Sequence, residues 1–476
     1  MSADIGVIGL GVMGSNIALN IADHGFAVSA YNRSPDKTSA LLEQATADHN
    51  LKGYSSLEEF VDSLKTPRTI LLMVTAGEVV DKIIASLQPL LTKGDIIIDG
   101  GNSFFEDSQR RADQLQQQGL NFIGMGISGG EDGARFGPSL MPGGHAQAWP
   151  IVQPLFQAIA AKATDGTPCC QWVGSGGAGH YVKMVHNGIE YGDMQLICEA
   201  WELLHKGLSL PMSGVAKVFA QWNQGKLSSY LMEITAQILT VNDEDGQARV
   251  LNILDTAGQK GTGRWTAIDS LKLGMPLTMI TEAVFSRALS ALKQERVSAA
   301  EYYADCDEHN TNVLSKDLIP SIESALYAAK LISYTQGFMQ LRQASDEYGW
   351  NLDFGNVALL WRAGCIIRSR FLDDIYRAYQ DNPQLQSLLV DAYFAGEIKQ
   401  HLGGWRQTVI AAVSHSIPVS AMSSALAFFD AYTQADSSAS LLQAQRDYFG
   451  AHSYQRKDRQ GTFHTRWSDD QQELQL

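Results

Sequence analysis

The chain contains 476 residues, of which 45% are hydrophobic and 18% are charged, and its formal net charge is −15 at pH 7. This length exceeds what one hydrophobic core usually supports, so two or more domains are expected. The acidic balance argues against broad nucleic-acid binding, and no apolar run approaches the roughly eighteen residues that a membrane helix needs. The strand-like run Ile5–Ile8 begins almost directly after Met1, which leaves no room for a signal peptide and predicts a cytoplasmic location.

The cysteines and histidines predict neither disulfides nor a metal site. The five cysteines are odd in number and two of them are adjacent, so we expect reduced thiols. No Cys or His pair has zinc-ligand spacing together with a second pair that would complete a site. The cysteines are Cys169, Cys170, Cys198, Cys306 and Cys365.

Residues 1–177 are predicted to form a Rossmann-type, doubly wound α/β domain. Short β-branched runs alternate there with helix-periodic stretches, which is typical of βαβ units that build a parallel sheet. Runs such as Ile96–Ile98 are apolar at every position, which favours strands covered by helices on both faces. The strand candidates are Ile5–Ile8, Ala27–Tyr31, Thr69–Val74, Asp95–Asp99 and Asn121–Met125.

A glycine-rich turn after the first strand predicts a dinucleotide site. Gly9 permits a tight turn, Gly11 lets the backbone approach a pyrophosphate, and Gly14 allows close packing at the start of a helix. The same pattern in Gly174–Gly179 has no second βαβ unit behind it, so we interpret that segment as a domain junction. The motif consists of Gly9, Leu10, Gly11, Val12, Met13 and Gly14.

The end of the second strand favours NADP over NAD. An NAD-preferring site would usually place Asp or Glu there to hold the ribose 2′-hydroxyl, but this chain has the neutral Asn32. Arg33 and Lys37 follow it and supply positive charge for a 2′-phosphate. Further cofactor-binding candidates are Ser34, Val74, Thr75, Ala76 and Asn102.

After Gly179 the sequence predicts a large, nearly all-helical domain over residues 178–436. Helical periodicity runs through three long segments, Tyr181–Leu204, Leu318–Tyr348 and Asp381–His415. Two similar stretches around Trp222 and Trp361 suggest a duplicated helical unit. The C-terminal tail, residues 437–476, is polar enough for disorder, but its large aromatic side chains favour packing against another surface, such as a partner subunit.

One predicted helix carries a polar face with the character of an active site. At about 100° per residue, Glu190 lies almost directly below Lys183. Such a face is more often merely solvated, but this helix becomes apolar nearly all round by Leu196–Cys198, which favours burial beside a cleft. The other polar residues on the same side are His186, Asn187 and Tyr191.

The pair Lys183 and Glu190 fits acid–base chemistry. Oxidation of a secondary alcohol needs a base for the hydroxyl proton, and Lys183 can serve if burial or nearby positive charge lowers its pKa from about 10.4. A protonatable Glu190 would supply a second, differently tuned group. The residues themselves therefore indicate NADP-linked oxidation of an anionic substrate.

Five segments together resemble the 6-phosphogluconate dehydrogenase family, and the resemblance covers the whole chain. It implies oxidative decarboxylation of 6-phospho-D-gluconate to D-ribulose 5-phosphate and CO2 with NADP, the chemistry of gluconate utilization in the oxidative branch of the pentose phosphate pathway. It implies that Lys183 is the base for oxidation at C3 and later helps to protonate the carbonyl oxygen, whereas Glu190 protonates C1 of the enediol. The segments are Asp99–Ser103, Ile127–Glu131, Lys183–Tyr191, Ile253–Trp265 and Arg446–His452.

The resemblance also implies a set of substrate contacts and a homodimer. Lys260, Arg287 and Arg446 would supply the local positive charge that an acidic protein needs to hold a phosphate. The tail would reach into the neighbouring subunit, so that active sites are shared. Ser34 departs from the Thr found in many family members after the Asn-Arg pair, but it keeps the hydroxyl. The implied substrate contacts are Asn102, Ser128, Gly129, Gly130, His186, Asn187, Tyr191, Lys260, Thr262, Arg287, Arg446 and His452.

Two alternatives stay open at this point. An NADP-dependent β-hydroxyacid dehydrogenase acting on another small acid would share the glycine motif and Lys183 but would not need the three cations. A catalytically silent NADP-binding regulator would keep the glycine motif, but Lys183 and Glu190 would be dispensable.

Overall fold

The computed structural model describes residues 2–304 and 313–476, so Cys306 lies outside the described residues. The chain forms two compact units, Met1–Ala425 and Leu426–Leu476. Within the described ranges, no helix has the length and apolar character required to cross a bilayer.

An eight-stranded sheet organises the N-terminal part of the larger unit. Its spatial order is β3-β2-β1-β4-β5-β6-β7-β8, and all neighbours are parallel except the antiparallel pair β6 and β7. The predicted doubly wound sheet is thereby confirmed. The strands are β1 Ile5–Ile8, β2 Val28–Tyr31, β3 Leu51–Tyr54, β4 Thr69–Leu72, β5 Ile96–Asp99, β6 Asn121–Ser128, β7 Ser139–Gly144 and β8 Gly174–Ser175.

Apolar side chains cover both faces of this sheet, because successive strand residues point to opposite sides. In β5, Ile96 and Ile98 enter one buried cluster and Ile97 enters another. The helices associated with the sheet are α1 Val12–Asp23, α2 Pro35–Gln44, α3 Leu57–Asp62, α4 Glu78–Leu87, α5 Phe105–Gln117, α6 Gly130–Phe136 and α7 Trp149–Ile159.

Three strands of this sheet were not predicted from the sequence. The β3 strand is only partly buried at the sheet edge and carries Lys52 and Gly53, while β7 contains Pro142 and two glycines, residue types that are depleted in strands. The segment read as a domain junction contains β8 and the first residues of the next helix, Ala178 and Gly179.

The rest of the larger unit is helical, as predicted, but one predicted helix is wrong in part. The stretch Asp381–His415 is interrupted between α16 and α17, because Pro383 cannot continue a helix and disfavours helical geometry at Asn382. Asp391 then caps α17 by accepting from the backbone of the next turn. The helices are α8 Ala178–Glu202, α9 Met212–Trp222, α10 Tyr230–Ile238, α11 Thr262–Lys272, α12 Thr278–Ala291, α13 Lys293–Tyr302, α14 Ile319–Tyr348, α15 Phe354–Leu360, α16 Leu372–Asp381, α17 Ala392–Ser414 and α18 Ser420–Tyr432.

The smaller unit has its own ordered structure around a buried carboxylate. Asp447 accepts hydrogen bonds from the backbone of Ser453 and Thr465 and from the indole of Trp467, at 2.8, 3.0 and 2.8 Å. These bonds, with that from His464, lower the pKa of Asp447 to about 2 against the effect of desolvation. Besides the end of α18, the unit contains α19 Ala439–Gly450 and an antiparallel sheet of β9 Tyr454–Gln455, β10 Thr462–Thr465 and β11 Glu473–Gln475.

Candidate active site

The turn between β1 and α1 has the close contacts that its glycines predict. Gly9 has a φ of +96°, and a Cβ on Gly14 would lie 1.9 Å from the Gly9 carbonyl oxygen. A Cβ on Gly11 would meet no protein atom within 4 Å, which leaves open space in front of the helix N-terminus. No acidic residue lies in the first turn of α1, so an anion faces no local repulsion there.

Asn32 has a structural task that its sequence position did not reveal. Its side-chain oxygen accepts from the Leu10 backbone at 3.0 Å, and its amide donates to the Ser34 carbonyl at 3.1 Å. The residue therefore ties the glycine-rich turn to the end of β2. Arg33 and Lys37 are exposed beside it.

The polar face of α8 is buried rather than solvated. His186 is its centre, since its Nδ1 lies 3.4 Å from Lys183 Nζ, 3.1 Å from Asn187 Oδ1 and 3.9 Å from Glu190 Oε2. Its Nε2 lies 3.2 Å from Ser128 Oγ at the end of β6. One imidazole thus connects the polar groups of the helix with the sheet.

Burial shifts the pKa values of this cluster in the directions that acid–base chemistry needs. It lowers the pKa of Lys183 from its usual value, against the opposing charge of Glu190. It raises the pKa of Glu190, against the charges of Lys183 and Arg287. The pKa of His186 falls well below its usual value through burial and the Lys183 charge, so this imidazole is neutral at pH 7.

Glycines allow α8 to lie this close to its neighbours. A Cβ on Gly126 of β6 would come within 2.4 Å of the Lys183 Cβ, and one on Gly188 would come within 2.7 Å of Thr266 on α11. Both distances are too short for real atoms, so only glycine permits this packing. The glycines therefore help to keep the helix face out of water.

The Ser128–Gly130 loop approaches a second, distant loop. Gly129 and Gly130 have φ values of +125° and +62°, and a Cβ on Gly129 would lie 2.6 Å from the Gly364 carbonyl oxygen. The same distant loop places the Trp361 ring at 5.6 Å from that of His186. Two remote segments therefore enclose the polar face of α8.

Tyr191 contacts one other predicted substrate residue, Arg287, and lies beside the start of α11. The Arg287 guanidinium carbon lies 3.5 Å from the centre of the Tyr191 ring, in cation–π geometry, and Arg287 also donates to the Gly258 carbonyl. Thr262 begins α11, and a Cβ on the next residue, Gly263, would lie 2.5 Å from the Tyr191 ring. Lys260 precedes this helix and is exposed.

The remaining predicted residues belong to other segments of the chain. Val74, Thr75 and Ala76 follow β4, and Asn102 follows β5, so they share the carboxyl edge of neighbouring parallel strands. Arg446 and His452 belong to the smaller unit, where both are exposed.

Comparison with known proteins agrees with this arrangement. The family model for the NAD binding domain of 6-phosphogluconate dehydrogenase matches residues 4–174, and that for the C-terminal domain of the same enzyme matches residues 179–467. The chain belongs to the 6-phosphogluconate dehydrogenase family.

Individual members of the family match the chain along nearly its whole length. "6-phosphogluconate dehydrogenase, decarboxylating" of Chlamydia pneumoniae is 52% identical over 474 residues, which cover 98% of each chain. The yeast protein "6-phosphogluconate dehydrogenase, decarboxylating 1" is 52% identical over 95% of this chain and 93% of its own. The Plasmodium falciparum 6-phosphogluconate dehydrogenase, solved alone and in complex with its cofactor NADP+ and its substrate 6-phosphogluconate, has a TM-score of 0.94 and 41% identity, and the match covers 98% of this chain and all of that one.

The family resemblance drawn from the sequence is therefore confirmed, but several residues around the candidate site were not predicted from the sequence. Trp361 and Cys365 come from a loop far along the chain, and burial raises the pKa of the Cys365 thiol to about 12. Gly126 gave a weak signal, since the alternation of glycines in β6 indicates that another backbone approaches one face of that strand.

Proposed function

We propose that the protein catalyses the oxidative decarboxylation of 6-phospho-D-gluconate to D-ribulose 5-phosphate and CO2, with reduction of NADP to NADPH. The observation that carries this proposal is the buried face of α8, where Lys183 and Glu190 have pKa values shifted in opposite directions. The family of the chain agrees with it, since relatives 52% identical over nearly the full length bear the name of this activity.

The open N-terminus of α1 fits the pyrophosphate of NADP. The absence of an acid at Asn32 and the exposed cations Arg33 and Lys37 support binding of the 2′-phosphate. When bound, NADP supplies the nicotinamide that accepts the hydride. Its proposed contacts are Gly9, Leu10, Gly11, Val12, Met13, Gly14, Asn32, Arg33, Ser34, Lys37, Val74, Thr75, Ala76 and Asn102.

In the proposed mechanism, Lys183 takes the proton of the C3 hydroxyl, and burial favours its neutral amine by lowering its pKa from the usual value. The resulting ammonium then protonates the ketone oxygen as CO2 leaves. The ketone itself accepts the electrons of the broken bond, so this step requires no metal. Glu190 then delivers a proton to C1 of the enediol, and burial favours its protonated form by raising its pKa. The neutral His186 contacts both Ser128 and Lys183 and so fixes the positions of these side chains relative to each other.

The substrate phosphate is proposed to bind among Lys260, Thr262 and Arg287, together with Arg446 and His452 from a second subunit. The exposure of Arg446 and His452 supports a homodimer with shared sites, as do the exposed side chains of Tyr448 and Phe449 on α19. The other proposed substrate contacts are Asn102, Ser128, Gly129, Gly130, His186, Asn187 and Tyr191.

The division of labour along the chain is also a proposal. Residues 1–177 would bind NADP, residues 178–436 would bind substrate and form the dimer, and residues 437–476 would reach the partner subunit. The free, buried thiols of Cys169 and Cys170 are compatible with a reducing compartment, which supports a cytoplasmic location.

A paired assay tests the proposed reaction. NADPH absorbance and CO2 release are followed together with 6-phosphogluconate and NADP, with gluconate and NAD as controls. Equal release of both products only with the phosphorylated acid is expected. NADPH without CO2 would indicate the β-hydroxyacid dehydrogenase alternative, and neither product would indicate the silent regulator.

Lys183→Met tests the proposed base. We expect turnover to fall by about 10²-fold or more, whereas the Kd for NADP stays within about twofold. The matched control is Lys206→Met, which changes a surface lysine bonded to Glu202 just after the same helix. Turnover by Lys183→Met close to that of Lys206→Met would remove Lys183 from the mechanism.

A further inference from the structure

Arg111 is a buried cation that the proposed mechanism leaves unused. It lies on α5 and is 1% exposed. Its Nη1 donates to Asp99 at 3.2 Å, and its Nε and Nη2 donate to the two oxygens of Asp81 at 2.8 and 3.2 Å. Its Nη2 also donates to the Gly77 carbonyl at 3.0 Å. One guanidinium therefore joins the end of β5 to the beginning of α4.

Each partner of Arg111 anchors a loop of the proposed site. Asp99 accepts from the Gly101 backbone at 3.0 Å and from the Ser103 hydroxyl at 2.6 Å, so it fixes the loop on both sides of Asn102. The loop that follows β4 contains Val74, Thr75 and Ala76. Gly77 and Asp81 lie where this loop enters α4.

The two loops also lie close to each other. A Cβ on Gly101 would lie 3.0 Å from the Val74 carbonyl oxygen, so little space separates the two backbones. Hydride transfer tolerates little displacement, because a shift of about 1 Å costs up to about 10²-fold in rate. The separation of these loops therefore bears on how substrate and cofactor meet.

We propose that Arg111 is a positioning residue that sets the distance between the loop after β4 and the loop after β5, and hence the position of Asn102 relative to bound NADP. The inference rests on the proposed function, since it assigns these loops to the cofactor and the substrate. Lysine cannot replace Arg111, because its single ammonium cannot make the planar fork to Asp81 while bonding to Asp99.

The adjacent residue provides a matched control. Arg110 is at the surface and donates to both oxygens of the same Asp81 at 3.1 Å and to Asp107 at 3.2 Å. Arg111→Lys and Arg110→Lys therefore make the same chemical change one residue apart and affect the same carboxylate. Arg111→Lys also keeps a positive charge next to the buried Asp99.

The test measures kcat with saturating NADP and 6-phosphogluconate and the Kd of each ligand for the full-length variants. For Arg111→Lys we expect kcat to fall about tenfold or more and the Kd of NADP to rise by several-fold, whereas Arg110→Lys stays within about twofold of the wild type. Equal kcat values and equal NADP Kd values for the two variants would overturn the proposal.

A second variant covers the case in which Arg111→Lys does not fold. Asp81→Asn removes the charged fork from α4 but leaves the bond between Arg111 and Asp99. It should raise the Kd of NADP while the Kd of 6-phosphogluconate stays within about twofold. A lower melting temperature with equal changes in both Kd values would indicate a general structural role and overturn the proposal.

Wild-type turnover separates this inference from the proposed function. If the wild type releases no NADPH and CO2, the proposed function fails, but the ratio of NADP Kd values between Arg111→Lys and Arg110→Lys still decides whether Arg111 positions the cofactor loop. If the wild type is active and that ratio is one, with equal kcat, the positioning role alone fails.

Discussion

Removal of the Lys330 ammonium should cost far more stability than removal of a surface lysine. Lys330 on α14 and Asp193 on α8 form an ion pair inside the helical core, with side chains 0% and 1% exposed. Lys330 Nζ lies 2.7 Å from one carboxylate oxygen and 3.0 Å from the other. Asp193 follows Glu190 by three residues, so the pair also fixes the helix that carries the proposed acid and base.

Lys330→Met keeps an unbranched apolar side chain but leaves the Asp193 carboxylate buried without its counter-ion. The loss of one partner of a buried pair costs about 3–5 kcal/mol of unfolding free energy. Addition of Asp193→Asn should recover about half of that loss or more, because the uncompensated charge is then gone. The exposed pair of Lys206 and Glu202 is the control, and Lys206→Met should cost less than about 1 kcal/mol.

Urea unfolding at pH 7, followed by circular dichroism at one fixed protein concentration, measures these free energies. The double-mutant cycle isolates the coupling between Lys330 and Asp193. A cost for Lys330→Met no larger than that for Lys206→Met would refute the reasoning. So would a double variant whose cost equals the sum of the two single costs.

Two further predictions concern the glycine motif and a buried carboxyl group. Gly11→Ala should weaken NADP binding by about tenfold or more in a titration but leave the melting temperature nearly unchanged. Gly14→Ala should also lower the melting temperature, because its Cβ would collide with the Gly9 carbonyl. Burial raises the pKa of Glu199 to about 7 although it accepts the first backbone N–H groups of α18. The folded pKa lies above the unfolded value near 4.5, so the protonated form stabilises the folded state and this contribution is lost as the pH rises. Between about pH 4.5 and pH 8 the unfolding free energy of the wild type should therefore fall by about 3 kcal/mol relative to that of Glu199→Gln. A difference in unfolding free energy that does not vary with pH would contradict this.

The sequence predicted those parts of the fold that depend on local patterns. Apolar periodicity located the inner strands and the long helices, because residues such as Ile96–Ile98 are buried on both faces of the sheet. The same periodicity did not locate β3 and β7. Both contain residues that are depleted in strands, and both form by pairing with a neighbouring strand, β2 and β6 respectively. It also placed the start of α17 at Asp381 instead of Ala392. The apolar spacing continues past Pro383, although this proline follows the end of α16.

For the candidate site as well, the sequence predicted the features that depend on local patterns but not those that depend on distant contacts. The helical spacing of Lys183 and Glu190 and the context of the glycine motif are local, so both could be read from the sequence. The positions of Trp361 and Gly364 could not, because those residues follow the polar face of α8 by about 170 positions and only the fold brings them there. The bonds of Arg111 to two separate loops were hidden for the same reason.

A single physical cause prepares both groups of the proposed acid–base pair. Burial disfavours charge, so it drives Lys183 toward the neutral amine and Glu190 toward the protonated acid. Their mutual attraction opposes both shifts, and the neutral His186 between them adds no charge that would strengthen it. The shifts therefore depend on how completely α8 is shielded from water, and that shielding requires a bare backbone at Gly126 opposite Lys183. A strand glycine without any functional group thus contributes to the burial that lowers the pKa of Lys183.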